Sequence, residues 1–162
     1  MPSAYHAEIE KRLDDLGLQL PEAMAPAANY VPFKIAGTQL YISGQLPTDT
    51  SGNLIKGTCG QTIETQAATH AAERSAINIL SQVKAAIGDF GRLEGLTKIT
   101  GFVSSTATFE DHPAVVNGAS NLFVDVLGER ARHARSAVGV SALPFNVAVE
   151  IEAIFQLKSS TE

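Results

Sequence analysis

The chain has 162 residues, of which 44% are hydrophobic and 18% charged, a composition that indicates one ordinary globular domain and excludes a disordered chain. Its net charge is -5 and its Lys and Arg residues form no block, so the clustered positive charge that nucleic-acid binding needs is missing from the sequence. We therefore expect no nucleic-acid partner.

The cysteine content and the first residues of the chain indicate in which cellular compartment we expect the protein. Cys59 is the single cysteine, so no intrachain disulfide can form, and one thiol suits a reducing compartment. Residues 1–16 carry charges throughout and lack the apolar stretch of a signal peptide. No apolar run approaches the roughly 20 residues that a membrane helix needs. The sequence therefore predicts a cytoplasmic protein with no membrane partner.

A short helix is predicted first. Ser3 can cap it, and apolar residues recur at helical spacing up to Leu16. The segment that follows, at residues 21–29, is rich in Pro and Ala and is typical of an extended connector. We expect residues 1–29 to form this N-terminal helix and connector, and residues 30–158 to form the main domain.

From Tyr30 the apolar residues alternate with a period of two, which predicts two short strands around residues 33–35 and 40–42. Residues 49–60 are rich in Gly, Asp, Asn and Ser, which is typical of a surface loop. A long helix is predicted over residues 62–87. Much of its apolar stripe is Ala, so it can lie close against a sheet.

The second half of the chain continues the alternation of strands and helices. We predict a strand at residues 99–104, a helix from Asp111 to Gly128 with a proline in its first turn, and strands at residues 135–140 and 147–155. After the leading helix the order is β-β-α-β-α-β-β. This order predicts an α+β fold, with a mixed sheet and two helices packed on one face.

Charged residues on the last two strands are candidates for chemistry. Glu150 and Glu152 share a face of their strand, with Cα atoms roughly 7 Å apart. If the two strands form a hairpin with Val140 against Val147, Arg135 lies opposite Glu152. The pattern alone favours a cross-strand salt bridge that supports the sheet. In the functional alternative, a carboxylate orients Arg135 while its free edge binds the carboxylate of a ligand.

Other polar residues have both ordinary and functional interpretations. Tyr30 precedes the first strand, where a phenol usually serves packing. Ser43 and Gly44 lie at a strand end, where they can form a turn or meet a ligand. Asn117 and Gly118 are poor helix formers inside a helical pattern. Asn117 is therefore either merely exposed or directed into a pocket, since such local inconsistency sometimes marks a functional site.

The sequence predicts neither a metal nor a cofactor. The four histidines and Cys59 show no metal-ligand spacing. His133, two residues before Arg135, is either a ligand contact or an exposed loop residue. Cys59 lies in the loop, where an exposed or half-buried ordinary thiol is commoner than a nucleophile. The chain contains no phosphate-binding loop, dinucleotide fingerprint or nucleophile elbow.

Three segments of the chain together resemble the signature of the RidA/YjgF family. They occur in the family's order and spacing, and the similarity covers roughly residues 30–155. The segments are SGQLP at 43–47, ARSAV at 134–138 with ALP at 142–144, and EIEAI at 150–154.

The resemblance implies a chorismate-mutase-like α+β fold, assembled as a homotrimer with sites in the clefts between subunits. The activity that it implies is the hydrolysis of reactive 2-imino or enamino acids to 2-oxo acids and ammonia, without a cofactor. By the same resemblance, Arg135 binds the substrate carboxylate and Glu150 places or activates water. Tyr30, Ser43 and Asn117 line the site.

The chain also departs from the family pattern. Ala137 stands where the family often has cysteine, so a thiol at that position has no role here. The leading helix and the long loop at residues 49–60 resemble a divergent branch of longer members, in which imine hydrolysis is an open question. One alternative is a non-catalytic trimer that binds small 2-oxo acids. A second is ribonuclease action, a label often attached to the family, against which the acidic balance of the chain argues.

Overall fold

The computed structural model describes residues 1–25 and 28–160, so residues 26–27 of the predicted connector and residues 161–162 lie outside the described residues. The described part of the chain forms three α-helices and five β-strands in the predicted order. They are α1 (Ala4–Asp15), β1 (Phe33–Ala36), β2 (Gln39–Gln45), α2 (Thr65–Ile87), β3 (Leu93–Ser104), α3 (His112–Leu127), β4 (Ala134–Val140) and β5 (Val149–Leu157).

Helix α1 ends at Asp15, one residue before its predicted end at Leu16, and it is capped by Ser3 as predicted. The backbone N–H of His6 donates to the hydroxyl of Ser3 at 3.1 Å, which is N-cap geometry. Ile9 and Leu13 are buried in the core. The Ser3 hydroxyl also donates to Asp89 at 2.5 Å and ties α1 to the segment before β3. Hydrogen bonds from Ser3 lower the pKa of Asp89 to about 2.

The five strands of the described residues form one mixed sheet in the order β1-β2-β5-β3-β4. Strands β3 and β4 are parallel, and the other neighbours are antiparallel. The predicted hairpin that put Arg135 opposite Glu152 is therefore wrong. Arg135 pairs with Ile99 of β3, and Glu152 pairs with Thr100 of the same strand.

The crossover through α3 explains the error. A helix between two strands brings the second strand back parallel to the first, so β4 pairs with β3. Strand β5 then lies between β2 and β3. Its alternating residues Val149, Ile151, Ala153 and Phe155 are all buried, which is the predicted face assignment. Alternation along a strand defines its faces, but it does not identify its neighbours.

Helices α2 and α3 pack on one face of the sheet, as predicted. The inner side of α2 is lined by fully buried alanines, which let the helix approach closely: Ala68, Ala71, Ala72 and Ala76. At Gly118 of α3, a Cβ atom would lie 2.0 Å from the backbone oxygen of Thr69 in α2. The close packing of α2 and α3 therefore explains the glycine at position 118, since any side chain there would collide with the backbone of α2.

Strand β5 is shifted by two residues from its predicted bounds, and β2 is longer than predicted at both ends, but the largest differences are at the starts of α2 and β3. Helix α2 begins at Thr65 rather than at residue 62, and β3 begins at Leu93 rather than at residue 99. The pairing of β3 with β5 shifts register between Leu96 and Lys98, and this irregularity interrupts the alternation of the strand. The early part of β3 consequently lacks the period-two pattern from which a strand is predicted.

Candidate functional site

The two residues at the centre of the predicted site lie on opposite faces of the sheet. Arg135 pairs with Ile99, which pairs in turn with Ala153, and the latter two are buried beneath the helices. Glu150 pairs with Phe102 and alternates with the buried residues of β5, so it lies on the face turned away from the helices. Because paired residues share a face, Arg135 and Glu150 do not meet within one chain.

The guanidinium of Arg135 is held against the first turns of α3. Its Nη1 donates to Asn117 Oδ1 at 2.8 Å and to Ser120 Oγ at 3.2 Å, and its Nη2 donates to the carbonyl of Pro113 at 3.2 Å. All three acceptors are neutral. In the described part of the chain no ion pair includes Arg135, so the cross-strand salt bridge is not formed. The positive charge remains available to an anion.

Ser120 connects Arg135 to His133. The hydroxyl of Ser120 lies 2.9 Å from His133 Nε2, and Nδ1 of the same ring lies 2.5 Å from the carbonyl of Ala131. Because a carbonyl only accepts, Nδ1 donates to Ala131, and in the neutral imidazole Nε2 accepts from the Ser120 hydroxyl. The oxygen of that hydroxyl is then free to accept from Arg135. His133 thus orients one of the groups that hold the guanidinium.

Ser43 and Gly44 lie at a bulge in β2. The register between β2 and β5 shifts between Ile42 and Gln45, and the bulge turns this stretch toward Glu150. A Cβ atom at Gly44 would lie 2.1 Å from Oε1 of Glu150. The carboxylate therefore occupies the space that the side chain of any other residue at position 44 would fill. This position accepts only glycine for steric reasons.

Glu150 and Glu152 share one face, as predicted, but their surroundings differ. Glu150 is half-buried and Glu152 is exposed. Burial raises the pKa of Glu150, and the negative charge of Glu152 raises it further. A carboxyl group with a raised pKa holds or releases a proton closer to neutral pH than an ordinary one does. Of the two glutamates, Glu150 is the one that lies against Gly44.

Tyr30 is exposed and directly precedes Val31, whose carbonyl is bonded to the bulge. The Ser43 hydroxyl donates to the carbonyl of Val31 at 2.7 Å, and the Ser43 N–H donates to the carbonyl of Pro32 at 2.9 Å. These bonds hold the segment after Tyr30 against the end of β2. The phenol is not packed in the core, since 56% of the residue is exposed.

The candidate residues thus form two separate groups. We call Arg135, Asn117, Ser120 and His133 the arginine half-site. We call Glu150, Gly44, Ser43 and Tyr30 the glutamate half-site. Each group lies on its own side of the sheet, so one chain brings together the members of each half-site but not the two halves.

The sequence reasoning missed a hydrogen-bonded pair near the arginine half-site. Ser105 Oγ lies 3.0 Å from Nε2 of His112. A Cβ atom at Gly139 would lie 2.3 Å from that nitrogen and 2.6 Å from the hydroxyl. Gly139 alternates with Ala137 and Arg135 on one face of β4. A glycine inside an alternating strand was the available signal, since it often marks a close approach.

Cys59 is fully buried rather than exposed or half-buried. Burial raises the pKa of its thiol, which disfavours the nucleophilic thiolate. Within residues 1–25 and 28–160, no group of three or more His, Cys, Asp or Glu side chains is arranged to hold a metal ion. Nor does that part of the chain contain a helix both long and apolar enough to cross a membrane.

Sequence comparison agrees with this architecture. Residues 10–157 match the model of the family described as YjgF/chorismate mutase-like, putative endoribonuclease, and the chain belongs to this family. The RidA/YjgF resemblance and the chorismate-mutase-like fold are therefore confirmed.

Individual relatives support the assignment. Protein TCP17 of Trypanosoma cruzi is 41% identical over 152 residues, which cover 93% of this chain and 95% of that protein. The crystal structure of the protein Atu1372 from Agrobacterium tumefaciens is 47% identical with a TM-score of 0.87, covering 95% of this chain and 96% of that one. TdcF of E. coli, solved with bound serine, is 27% identical with a TM-score of 0.62, covering 85% and 94%.

Proposed function

We propose that this protein hydrolyses reactive 2-imino or enamino acids to 2-oxo acids and ammonia, and that Arg135 binds the carboxylate of the substrate. The observation that carries the proposal is the arrangement of the guanidinium. It is oriented by neutral acceptors and has no carboxylate partner among the described residues. A planar cation with this arrangement suits a carboxylate ligand, because the guanidinium fork can donate two parallel hydrogen bonds to it.

Glu150 is the proposed base that activates water. Its raised pKa favours proton exchange near neutral pH, and its carboxylate lies against the bulge at Gly44. A base of this kind takes a proton from water as the oxygen attacks the imine carbon. Tyr30 and Ser43 are the proposed lining of this side of the site.

Because the two half-sites lie on opposite faces of one sheet, we propose that the site is completed between subunits of a homotrimer. Arg135 is on β4, an edge strand. The open face of the sheet exposes apolar side chains, including Tyr41 and Val138, which a second copy would cover. In a cyclic trimer the same pair of surfaces meets three times, so each arginine half-site can face a glutamate half-site of its neighbour.

The serine bound to TdcF supports a small carboxylate ligand. Serine carries the α-carboxylate that a 2-imino acid also carries, and this shared group is what Arg135 would hold. The position of the substrate carbon then follows from that of the carboxylate, to which it is directly bonded. Fixing one charged group in this way restricts the orientation of the reacting carbon.

An imine-trapping assay tests the activity. An amino-acid oxidase generates the imine, semicarbazide traps what is not hydrolysed, and the trapped product is followed by absorbance. We expect wild-type protein to lower the amount trapped and Arg135→Ala to leave it at the level without protein. Arg132→Ala is the matched control, because Arg132 is exposed and already pairs with Glu129 at 2.8 Å. Equal trapping with wild type and Arg135→Ala would contradict the proposal.

A mixing experiment tests the composite site. Arg135→Ala and Glu150→Gln are each expected to be inactive as pure proteins. In trimers assembled from equal amounts of the two, about a quarter of the sites combine an intact Arg135 with an intact Glu150 from the neighbouring copy. Recovery of roughly that fraction of activity is expected. If both residues acted from one chain, no mixed trimer would recover activity.

One alternative has support from the geometry. The arginine half-site is assembled within a single chain, whereas the glutamate lies elsewhere, so a protein that binds 2-oxo acids without turnover is the second candidate. Calorimetry with 2-oxobutanoate distinguishes the two candidates, since this one predicts Arg135-dependent binding and no loss of imine. Ribonuclease action would instead appear as RNA cleavage that persists through further purification.

A further inference from the structure

A cavity of about 870 Å³ lies beside α2 and is separate from both half-sites. It is lined by residues from three parts of the chain: the end of α1 with the segment after it, residues 48–52, and α2. None of the residues of the two half-sites lines it. The leading segment and the loop that begins at residue 49 are the parts in which the chain departs from the family pattern. The cavity is therefore built largely from what distinguishes this chain.

Arg74 of α2 brings a buried positive charge to this cavity. The residue is only 8% exposed, and its Nε donates to the carbonyl of Thr48 at 2.7 Å. Within residues 1–25 and 28–160, no ion pair includes it. Its Nη1 and Nη2 have no hydrogen-bond partner there and are not sealed from the cavity. Because a buried charge without a partner is costly, this arrangement favours a bound anionic group.

Asn78 places a hydrogen-bond acceptor beside the guanidinium. It follows Arg74 by one helical turn, so the two side chains are neighbours on α2. Its Nδ2 donates to the carbonyl of Leu46 at 2.8 Å and to Oγ1 of Thr48 at 2.9 Å. These bonds fix the amide, and its Oδ1 has no partner in the described part of the chain. A ligand that meets the guanidinium can thus also donate a hydrogen bond to this oxygen.

Carboxylates give the rest of the cavity the opposite charge. Asp49 lines it, and its Oδ1 accepts from the backbone N–H groups of Ser51 at 2.8 Å and Asn53 at 2.9 Å, which orients the side chain. Asp14 and Glu22 also line the cavity and are exposed. These three carboxylates disfavour a simple anion, whereas a zwitterion matches both the buried cation and the acidic surroundings.

One wall of the cavity is apolar and firmly attached. Leu18, Leu20, Pro21 and Met24 contribute to this wall, and the two leucines pack against the hydrophobic core. The Nε2 of Gln82 donates to the carbonyl of Met24 at 2.8 Å and holds the segment against α2. An apolar group of a ligand can be removed from water against this surface.

We propose that this cavity is a second ligand site, which binds an α-amino acid with an apolar side chain. The α-carboxylate pairs with the guanidinium of Arg74. The ammonium group donates to Oδ1 of Asn78 and is attracted by the carboxylate of Asp49, while the side chain lies against the apolar wall. The site is independent of the proposed imine hydrolysis, because it shares no residue with either half-site.

Calorimetric titration of the full chain tests the site. The protein carries Arg135→Ala, so that the arginine half-site cannot hold a carboxylate. The probes are L-leucine, 4-methylpentanoate, which lacks only the amino group, and 3-methylbutylamine, which lacks only the carboxylate. We expect L-leucine to bind roughly 10-fold or more tightly than either analogue, because each analogue loses one charged contact.

Two variants of this protein locate the ligand. Arg74→Met keeps an apolar stem but removes the charge, and it is expected to weaken L-leucine binding roughly 10-fold or more. Arg132→Met is the matched control, because Arg132 is exposed and pairs with Glu129 at 2.8 Å. Asp49→Asn keeps an oxygen that can accept from Ser51 and Asn53. It should weaken L-leucine and tighten 4-methylpentanoate, each roughly 3-fold or more, since it removes one negative charge.

Each other result overturns the proposal. These results are no binding of L-leucine up to about 10 mM, equal binding of L-leucine and 4-methylpentanoate, or unchanged binding by a folded Arg74→Met protein. If circular dichroism shows that Arg74→Met does not fold, Asp49→Asn decides, because a misfolded site cannot weaken one ligand and tighten the other. Absence of L-leucine binding leaves the proposed imine hydrolysis standing, and absence of imine hydrolysis leaves the second site standing.

Discussion

Replacing Arg135 by lysine isolates what the guanidinium fork contributes. The charge stays, but an ammonium cannot donate from two atoms to Asn117, Ser120 and Pro113 while presenting a planar edge to a ligand. One of the two parallel hydrogen bonds to a carboxylate is then lost. A hydrogen bond to a charged group contributes about 1.5–3 kcal/mol. At 1.4 kcal/mol for each factor of ten, the Kd for a 2-oxo acid rises roughly 10- to 150-fold.

Isothermal titration calorimetry with 2-oxobutanoate measures this change directly. Arg132→Lys is the matched control, because Arg132 is exposed and pairs with Glu129, so its exchange for lysine should leave the Kd unchanged. Circular dichroism melting confirms that both variants fold. If Arg135→Lys bound 2-oxobutanoate as tightly as wild type, the fork would not hold the carboxylate and the arginine half-site would need another role.

Three predictions concern pH and stability. Glu150→Gln should raise the free energy of unfolding at neutral pH, because the raised pKa of Glu150 means that stability falls as pH rises above its usual value of 4.5. The two proteins should converge at more acidic pH, and Glu94→Gln, at an exposed position of β3, is the control. Gly118→Ala should cost about 1–3 kcal/mol in urea unfolding, since its methyl group meets backbone of α2. Ser3→Ala should cost about 1 kcal/mol through the lost cap of α1, together with its bond to Asp89.

Each of these has an outcome that contradicts it. A Glu150→Gln protein that is less stable than wild type at neutral pH would mean that the ionised carboxylate has a stabilising partner. Gly118→Ala with unchanged or higher stability would show that α2 and α3 separate easily, so that the gain in helix propensity of about 1 kcal/mol prevails. An unchanged melting temperature for Ser3→Ala would show that α1 is held by Ile9 and Leu13 alone.

Much of the fold was accessible from local pattern. The order of helices and strands, the cap at Ser3 and the buried face of β5 all depend on spacing within a few residues, which the sequence displays directly. The family signature at residues 43–47, 134–138 and 150–154 contains Arg135 of one half-site and Ser43, Gly44 and Glu150 of the other, whereas Ser120 was not predicted. Short-range periodicity and turn chemistry are physical properties of the segment itself, so they need no knowledge of the neighbours.

Other features depend on which segments meet. The sequence pattern favoured Arg135 opposite Glu152, but the crossover through α3 places β4 beside β3, and the two residues lie on opposite faces. The same crossover brings Ser105 and His112 to Gly139, from three separate elements. Strand pairing depends on segments that are distant in sequence, because it is set by the burial of whole helix and sheet faces. The spacing of residues along one strand therefore does not predict which strand lies beside it.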